Sequence, residues 1–315
     1  MNSNEKLDKN FISAVVYVNT ADSAQSFKDF IEKLDAWLTG TFVKYEVIFV
    51  DDDSKDDYLE IVRNYKKEHD NVMMTILHMS GRQGMEKSMN AGRDMAIGDF
   101  VFEFDECVFN FKEDQLDLVY KTCLKDYDIV NCSDEKKNSA GSNLFYVLFN
   151  KYSDVDHKLE SDNFRILSRR GINRIQSLNR AIPYRKALYA SCGLRMTNLT
   201  YKPENESDYS HDKIEKKERQ RLASDALILF TQVGYKAAFS LSVLMAAVMV
   251  FSAIYAIVMY IEGIAIEGWT TTMLFLSFAF FGLFMILTII IKYLSLLLEL
   301  NFKKQRYMFE NVEKL

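Results

Sequence analysis

The sequence is poor in cysteine and proline and lacks the usual marks of a secreted or nucleic-acid-binding protein. Its 315 residues include four cysteines and two prolines. No two cysteines form a CxxC pair, so neither a zinc site nor a disulfide framework is indicated. The net charge of -5 argues against a nucleic-acid partner, since such proteins are usually basic. The first residues, MNSNEKLDKN, lack the apolar core of a signal peptide, so we expect the folded portion to lie in the cytoplasm.

Apolar runs alternate with amphipathic segments through the N-terminal half of the chain. This rhythm predicts an α/β domain with a mostly parallel sheet, because strands separated by helices usually form parallel pairs. The predicted strands are residues 11–18, 45–50, 72–78, 100–104 and 128–132. The predicted helices are residues 23–38, 58–69, 85–96, 113–124 and 144–151, with Gly98 as the C-terminal cap of the third.

Two of the predicted strands end in carboxylates. Asp51, Asp52 and Asp53 follow the apolar run VIFV, and Asp105 and Glu106 follow FVFEF. The carboxyl ends of parallel strands meet at one edge of a sheet, which is where such sheets bind ligands. This edge is suited to a nucleotide, or to a divalent ion that neutralises a diphosphate. The alternative is two unrelated, solvated turns.

The order of the segments resembles family 2 glycosyltransferases of the GT-A fold, which is Rossmann-like. More narrowly, it resembles the membrane-anchored polyprenyl-phosphate glycosyltransferases, the dolichol-phosphate mannose synthase and bactoprenol glucosyltransferase group. The segments concerned are VVYVN, YEVIFVDDDSKD, MSGRQGMEKSMNAGRDMAIGD and FVFEFDE. The resemblance implies a UDP- or GDP-linked sugar donor bound by Asp51, Asp52, Asp53, Arg82, Gly84 and Asp105.

The resemblance also implies a divalent cation, Mg²⁺ or Mn²⁺, held by Asp105 and Glu106. The family's metal motif is Asp-x-Asp, and Cys107 stands in the place of its second aspartate. A thiol is a soft ligand that matches neither ion well. Metal dependence is therefore left open by the sequence.

Residues 161–169, SDNFRILSR, are similar to a GDFRLLDR-like segment in which the family has a catalytic aspartate and phosphate-binding arginines. Asn163 stands at the place of that aspartate, directly after Asp162. A lipid phosphate is already largely ionised at pH 7, so such an acceptor needs positioning and charge neutralisation more than a base. The resemblance implies Asp162, Asn163 and Arg165 as catalytic candidates, and Arg165, Arg169, Lys186, Ser207 and Tyr209 as ligands of the acceptor phosphate. For the two arginines, helix-end salt bridges are the alternative.

Two uncharged stretches, residues 237–261 and 268–291, are each about 25 residues long. That length crosses a hydrocarbon core of about 30 Å. Lysine and arginine flank the pair, whereas Glu262 and Glu267 occupy the short connection, so the positive-inside rule puts both ends in the cytoplasm. We therefore expect four parts: a GT-A domain at 1–210, an interfacial amphipathic helix at 211–235, two transmembrane helices at 236–298 and a cytoplasmic tail at 299–315.

These features favour a membrane-bound inverting glycosyltransferase that loads a polyprenyl phosphate at the cytoplasmic face of the cell (inner) membrane. The changes at Cys107, Asn163 and Asp208, which replaces a lysine of the family's acceptor loop, keep a second hypothesis open: a non-catalytic scaffold in a glycolipid or polysaccharide pathway. A third is an enzyme that extends a lipid-linked or surface sugar. The sequence leaves open whether the chain forms a homo-oligomer.

Overall fold

One eight-stranded sheet runs through the N-terminal two-thirds of the chain and also takes in its last residues. The computed structural model describes residues 7–20, 23–54, 56–135, 140–153, 157–177, 184–204, 221–227, 240, 243–244, 247, 251, 268–302 and 307–315. The strands are β1 Asp8–Tyr17, β2 Phe42–Asp51, β3 Met73–Met79, β4 Phe100–Phe104, β5 Ile129–Asp134, β6 Phe164–Ser168, β7 Met196–Tyr201 and β8 Phe309–Lys314. Their order in the sheet is β7-β5-β6-β4-β1-β2-β3-β8.

The four strands at the centre of the sheet, β4, β1, β2 and β3, are parallel to one another. Strand β6 is antiparallel to both β4 and β5, and β7 is parallel to β5. The prediction of an α/β fold with a mostly parallel, GT-A-like sheet is therefore confirmed. Because β2 and β4 flank β1 in the same direction, the acids that follow them lie at the same edge of the sheet.

The helices are α1 Ala24–Thr41, α2 Asp56–Glu68, α3 Met85–Met95, α4 Glu113–Leu124, α5 Ala140–Tyr152, α6 Arg169–Ser177, α7 Arg185–Ala190 and α8 Trp269–Phe302. The first five agree with the predicted helices to within a few residues, whereas α6 and α7 were not predicted. A capping box fixes the start of α1: Ser26 N donates to Ser23 Oγ at 3.2 Å, and Ser23 N donates to Ser26 Oγ at 3.2 Å. Such a box satisfies backbone donors that would otherwise have no partner in the first turn.

Strand β2 shows why the strands are continuous apolar runs and do not alternate between apolar and polar residues. Val47 and Phe49 point into the core under α1, α2 and α4, whereas Ile48 and Val50 point into the core under α3, α6 and α7. Both faces of the strand are buried, as expected for a central parallel strand.

Two glycines allow close packing beside the sheet. A Cβ at Gly92 of α3 would lie 2.5 Å from Val15 and 2.6 Å from Val50, so only glycine lets this helix approach the sheet so closely. Gly98 was predicted to cap α3, but the C-terminal cap is Ala96. Gly98 instead passes the backbone of β1, where a Cβ would lie 2.6 Å from Ser13 N.

The C-terminal residues differ from the predicted tail at 299–315. Residues 299–302 complete α8, and β8 pairs antiparallel with β3 at the end of the sheet. The hydrogen bonds along β3 thus hold the end of the chain on the same sheet as the predicted GT-A domain.

Helix α8 is 34 residues long and contains the second predicted span, whereas most of the first lies outside the described residues. Among the residues that the structure describes, no helix combines the length and the apolar character needed to cross a membrane. Of the predicted interfacial segment, residues 221–227 are described, and they are helical.

Candidate active site

The carboxylates at the end of β2 accept hydrogen bonds from backbone amides and hydroxyls. Asp52 is buried and accepts from the backbone amides of Gln83 at 2.7 Å and Gly84 at 2.8 Å, and from the Tyr17 hydroxyl at 3.0 Å. Asp51 accepts from Ser54 N at 2.8 Å and Ser54 Oγ at 2.6 Å. The β2 acids therefore fix the neighbouring turn and loop through hydrogen bonds.

Asp53 is exposed and has a φ of 63°, in the left-handed region. Aspartate tolerates this region better than most residues because its short side chain can hydrogen-bond locally. The position turns the chain sharply away from β2, which leaves Asp53 at the open edge of the sheet.

The loop at residues 80–84 lies next to Asp52 and leads into α3. Gly81 and Gly84 have φ values of 85° and 88°, a conformation that glycine adopts at no steric cost. Between them, Arg82 is exposed on the same edge as Asp53. The predicted donor-binding residues of β2 and of this loop are therefore brought together.

The carboxylates of β4 have a different environment. Asp105 Oδ1 accepts from Arg185 Nη2 at 2.8 Å, and Asp105 Oδ2 accepts from Arg165 Nη2. Glu103 Oε2 accepts from Nη1 of the same two arginines, at 2.8 Å in each case. All four side chains are buried, so they form a closed cluster of two carboxylates and two guanidinium groups.

Four further side chains extend this cluster. Arg185 also pairs with Glu86 at 3.1 Å, and Tyr189 donates its hydroxyl to Glu103 at 2.8 Å. Asp162 accepts from Arg165 Nε at 2.7 Å and forms an ion pair with Lys186. Hereafter the arginine cluster means these members together: Glu86, Glu103, Asp105, Asp162, Arg165, Arg185, Lys186 and Tyr189.

The charges within the arginine cluster outweigh the effect of burial. Burial would raise the pKa of Asp105, but the charges of Arg165 and Arg185 hold this pKa well below its usual range. Burial would likewise lower the pKa of both arginines, yet Asp105 raises them well above their ordinary value. The pKa of Lys186 is raised because Asp162 more than offsets its burial. Asp105, the two arginines and Lys186 therefore stay ionised across the physiological range.

Asn163 connects β6 to the same edge of the sheet. Its Oδ1 accepts from Asp134 N at 3.1 Å, and its Nδ2 donates to Glu106 at 3.3 Å. An aspartate in this place could not donate to Glu106. The Asn163 side chain thus holds Glu106, while the Asn163 backbone carbonyl accepts from Asp105 N at 3.3 Å.

The residues at the end of β4 do not fit a Mg²⁺ or Mn²⁺ ion. Such ions bind oxygen atoms, but both oxygens of Asp105 already accept from arginines. Cys107 is buried and its Sγ donates to the Tyr17 carbonyl at 3.1 Å, away from the edge. Within the described ranges, no group of three or more His, Cys, Asp or Glu side chains could hold a metal ion. The prediction that Asp105 and Glu106 bind the metal is therefore not supported by the geometry.

Arg169 does not lie with the other predicted site residues. It follows the end of β6 that pairs with the start of β4, and its Nε donates to the Gly98 carbonyl at 2.9 Å. β6 starts beside the end of β4 and runs away from it, so Arg165 lies near the edge of the site and Arg169, directly after β6, lies at the opposite end. The predicted phosphate-binding role of Arg169 is corrected accordingly, while Ser207 and Tyr209 lie outside the described residues.

Glu103, Glu86, Arg185 and Tyr189 were absent from the predicted site. One signal was available, because Glu103 interrupts an apolar strand, and a buried charge needs a partner of opposite sign. That rule indicates that a cation must lie beside Glu103, but it does not identify the residue that supplies it. Arg165 and Arg185 are 62 and 82 residues further along the chain.

Comparisons with known proteins place the chain in a family. The chain is 24% identical to the Uncharacterized glycosyltransferase YkcC of Bacillus subtilis over 68% of its length and 67% of that protein. It is 26% identical to the Uncharacterized glycosyltransferase sll0501 of Synechocystis over 52% of each chain. In structure it is similar to the mannosyltransferase PcManGT of Pyrobaculum calidifontis, solved with GDP-Man and Mn²⁺, with a TM-score of 0.46, 14% identity and coverage of 89% and 88%. The model of Glycosyl transferase family 2 matches residues 15–180, more than half of the chain. The chain belongs to glycosyl transferase family 2.

Proposed function

We propose that this family 2 glycosyltransferase moves a sugar from a UDP- or GDP-linked donor to a polyprenyl phosphate at the cytoplasmic face of the cell (inner) membrane. The observation that carries the donor half of the proposal is the contact of Asp52 with the backbone amides of Gln83 and Gly84. This contact joins the β2 acids to the loop that bears Arg82. Carboxylates for the ribose and base and a guanidinium for the diphosphate then share one edge.

The acceptor half of the proposal rests on the neighbours of Lys186. This lysine begins the part of α7 in which Ala187 and Ala190 pack with Phe149 of α5 and with Ala226. Next to Ala226, Asp225 lies 3.8 Å from Lys292 of α8. A chain of contacts thus leads from α8 to a cation that is suited to a phosphate.

Exposed apolar side chains of α5 and α8 support a contact with lipid. Leu144 and Val147 of α5 are exposed, and ten large apolar residues of α8 are exposed as well. An apolar patch of this size on a single chain is typical of a surface that contacts lipid or another protein. A two-helix hairpin formed by residues 237–261 and 268–291, with both termini in the cytoplasm, would place such a patch in the bilayer.

The proposed reaction needs no general base. An oxygen of the lipid phosphate attacks the anomeric carbon while the bond from that carbon to the donor diphosphate breaks, and the nucleoside diphosphate leaves with the electron pair. This displacement inverts the anomeric centre. The phosphate is largely ionised at pH 7, so Asn163 in place of an aspartate is compatible with the step. Lys186 and Arg82 would neutralise the acceptor phosphate and the leaving group.

The experiment is transfer of radiolabelled sugar to extractable lipid by the full chain in lipid nanodiscs. Panels of UDP- and GDP-sugars and of polyprenyl phosphates are tested against water-soluble acceptors. We expect label in the lipid phase from at least one donor, and a loss of about tenfold or more in Arg82→Met, which removes a charge-assisted contact with the diphosphate. Arg195→Met is the matched control, because Arg195 is exposed and pairs with Asp126, far along the chain from the donor loop.

Two results would contradict the proposal. Transfer to water-soluble acceptors alone would exclude the lipid phosphate and leave a different glycosyl transfer. Equal transfer by Arg82→Met and Arg195→Met would show that the loop at residues 80–84 does not bind the donor through Arg82.

A further inference from the structure

The last nine residues contact two elements of the donor edge. Ser80 N donates to the Met308 carbonyl at 3.1 Å, and Met308 N donates to Gln83 Oε1 at 3.0 Å. Gln83 Nε2 also donates to the Met308 carbonyl. The loop at residues 80–84 is therefore held on one side by Asp52 and on the other by the segment that precedes β8.

A second contact runs from β8 to Asp51. Glu313 lies opposite Ile76 in the pairing of β8 with β3, and its Oε2 is 3.3 Å from His78 Nε2. On the other side of the imidazole, His78 Nδ1 is 2.9 Å from Asp51 Oδ2. Arg63 of α2 holds Glu313 from behind through two hydrogen bonds of 2.9 Å. The result is a continuous row of side chains, Arg63, Glu313, His78 and Asp51, that ends at the donor edge.

We infer that Glu313 is a positioning residue of the nucleotide site, which acts through His78 to orient the Asp51 carboxylate. The inference rests on the proposed function, because it takes Asp51 as a ligand of the donor nucleoside. It assigns a role in nucleotide binding to β8, a strand more than 250 residues from Asp51 along the chain.

The acceptor capacity of Asp51 explains why its orientation matters. An ionised carboxylate has about four lone-pair sites. Ser54 N and Ser54 Oγ occupy Oδ1, and His78 occupies one site of Oδ2. One site of Oδ2 is left for a donor from the nucleoside, such as a ribose hydroxyl or a base N–H. Rotation of the carboxylate away from His78 would turn this site away from the edge.

The position of His78 depends on Glu313 for a geometric reason. Each ring nitrogen faces a carboxylate oxygen, and such oxygens only accept hydrogen bonds. The two carboxylates therefore contact the ring from its two sides. Hydrogen bonds from Arg63 lower the pKa of Glu313, which keeps its carboxylate ionised as the acceptor. Without Glu313, nothing in this row holds the ring in the plane that serves Asp51.

The test measures the affinity of the full chain, in nanodiscs, for UDP and for GDP by calorimetry. Glu313→Gln keeps the shape of the side chain and removes its charge, and we expect the dissociation constant to rise about fivefold, in line with the net contribution of one hydrogen bond. Glu310→Gln is the matched control, because Glu310 is an exposed residue of the same strand and the variant makes the same change of charge. We expect this control to bind like the unchanged chain.

A double-mutant cycle separates positioning from strand stability. In His78→Asn the amide reaches Asp51 in place of Nδ1 but is too short to reach Glu313. If Glu313 acts through His78, then Glu313→Gln weakens binding further by less than twofold in the His78→Asn background. A role of Glu313 only in holding β8 would lower the melting temperature and leave the nucleotide affinity unchanged.

The outcomes distinguish this inference from the proposed function. If the unchanged chain binds neither UDP nor GDP, the proposed function fails and the inference fails with it. If the unchanged chain binds and Glu313→Gln binds equally well, only the inference is overturned. Additive effects of the two substitutions would also overturn it, because they would show that Glu313 acts by a route other than His78.

Discussion

Two groups of acids lie at the same edge of one sheet, and they differ in what holds them. Asp51 and Asp52, after β2, accept hydrogen bonds from backbone amides, hydroxyls and one imidazole. Glu103 of β4 and Asp105, directly after that strand, accept from two buried arginines. Strand β1 alone separates the two groups.

This difference gives the two groups different roles. On the β2 side, Asp52 accepts from the backbone amides of Gln83 and Gly84 and so orders the loop at residues 80–84. On the β4 side, Arg165 and Arg185 pair with both Glu103 and Asp105, at the place where the sequence predicted a metal. Acids that follow a strand in the sequence can therefore be either the ligands of a site or part of a buried, ion-paired support beside it.

The largest expected effect tests whether the arginine cluster supports the fold. Arg165→Met leaves Glu103, Asp105 and Asp162 without their shared cation, and removing one partner of a buried pair costs about 3–5 kcal/mol. We expect a loss of this size in the free energy of unfolding, measured by urea denaturation. Arg195→Met removes an exposed ion pair and should cost less than about 1 kcal/mol. A loss in Arg165→Met no larger than in this control would refute the assignment.

Asp105→Asn should show a pH dependence that has a definite sign. The pKa of Asp105 is lower in the folded chain than its ordinary value. A carboxyl of this kind stabilises the fold above its unfolded pKa of about 4 and loses that contribution as the pH falls further. We expect the variant to be less stable than the unchanged chain by about 2–3 kcal/mol at pH 7, and the gap to narrow below about pH 4. A gap that stays constant to pH 3 would contradict the ion pairs at Asp105.

On the β2 side, Asp52→Asn should lower the free energy of unfolding by about 2 kcal/mol. This is less than the change expected at Arg165, because leaving neutral donors unpaired costs less than leaving buried charges unpaired. The asparagine amide would face the backbone amides of Gln83 or Gly84, and two donors cannot bond to each other. Hydrogen exchange at residues 80–84 measures the expected loosening of the loop. The matched control is Asp99→Asn at the opposite edge of the sheet, where Asp99 accepts from Phe11 N, and it should leave the exchange of the loop unchanged.

The smallest expected effect concerns the metal. Since the arginine cluster occupies both oxygens of Asp105, Mn²⁺ should change the dissociation constant of UDP or GDP by less than about twofold. Calorimetry with Mn²⁺ and with EDTA measures this directly. A rise in affinity of tenfold or more with Mn²⁺, abolished in Asp105→Asn, would show that Mn²⁺ displaces the arginines from Asp105. The β2 and β4 acids would then no longer differ in their ability to bind a ligand.

Much of the framework could be predicted because it depends on local patterns. Strand β4 and helix α4 have the predicted ends, and Ser23 caps α1 as its spacing indicated. The convergence of the acids after β2 and β4 was also predicted, since it follows from the direction of parallel strands. The prediction that Gly98 caps α3 was wrong. Glycine is required at this position because the backbone packs closely against Ser13, not because the helix ends there.

The sequence by itself determined the α/β order, the family and the edge where the acids meet, because these follow from periodicity and motif spacing over short stretches. Only the tertiary structure decided which acids are neutralised and which elements complete the edge. Arg185 reaches Glu103 and Glu313 reaches His78 across 82 and 235 residues. Contacts of that separation depend on how the strands are ordered and paired in the sheet, and no local pattern records them.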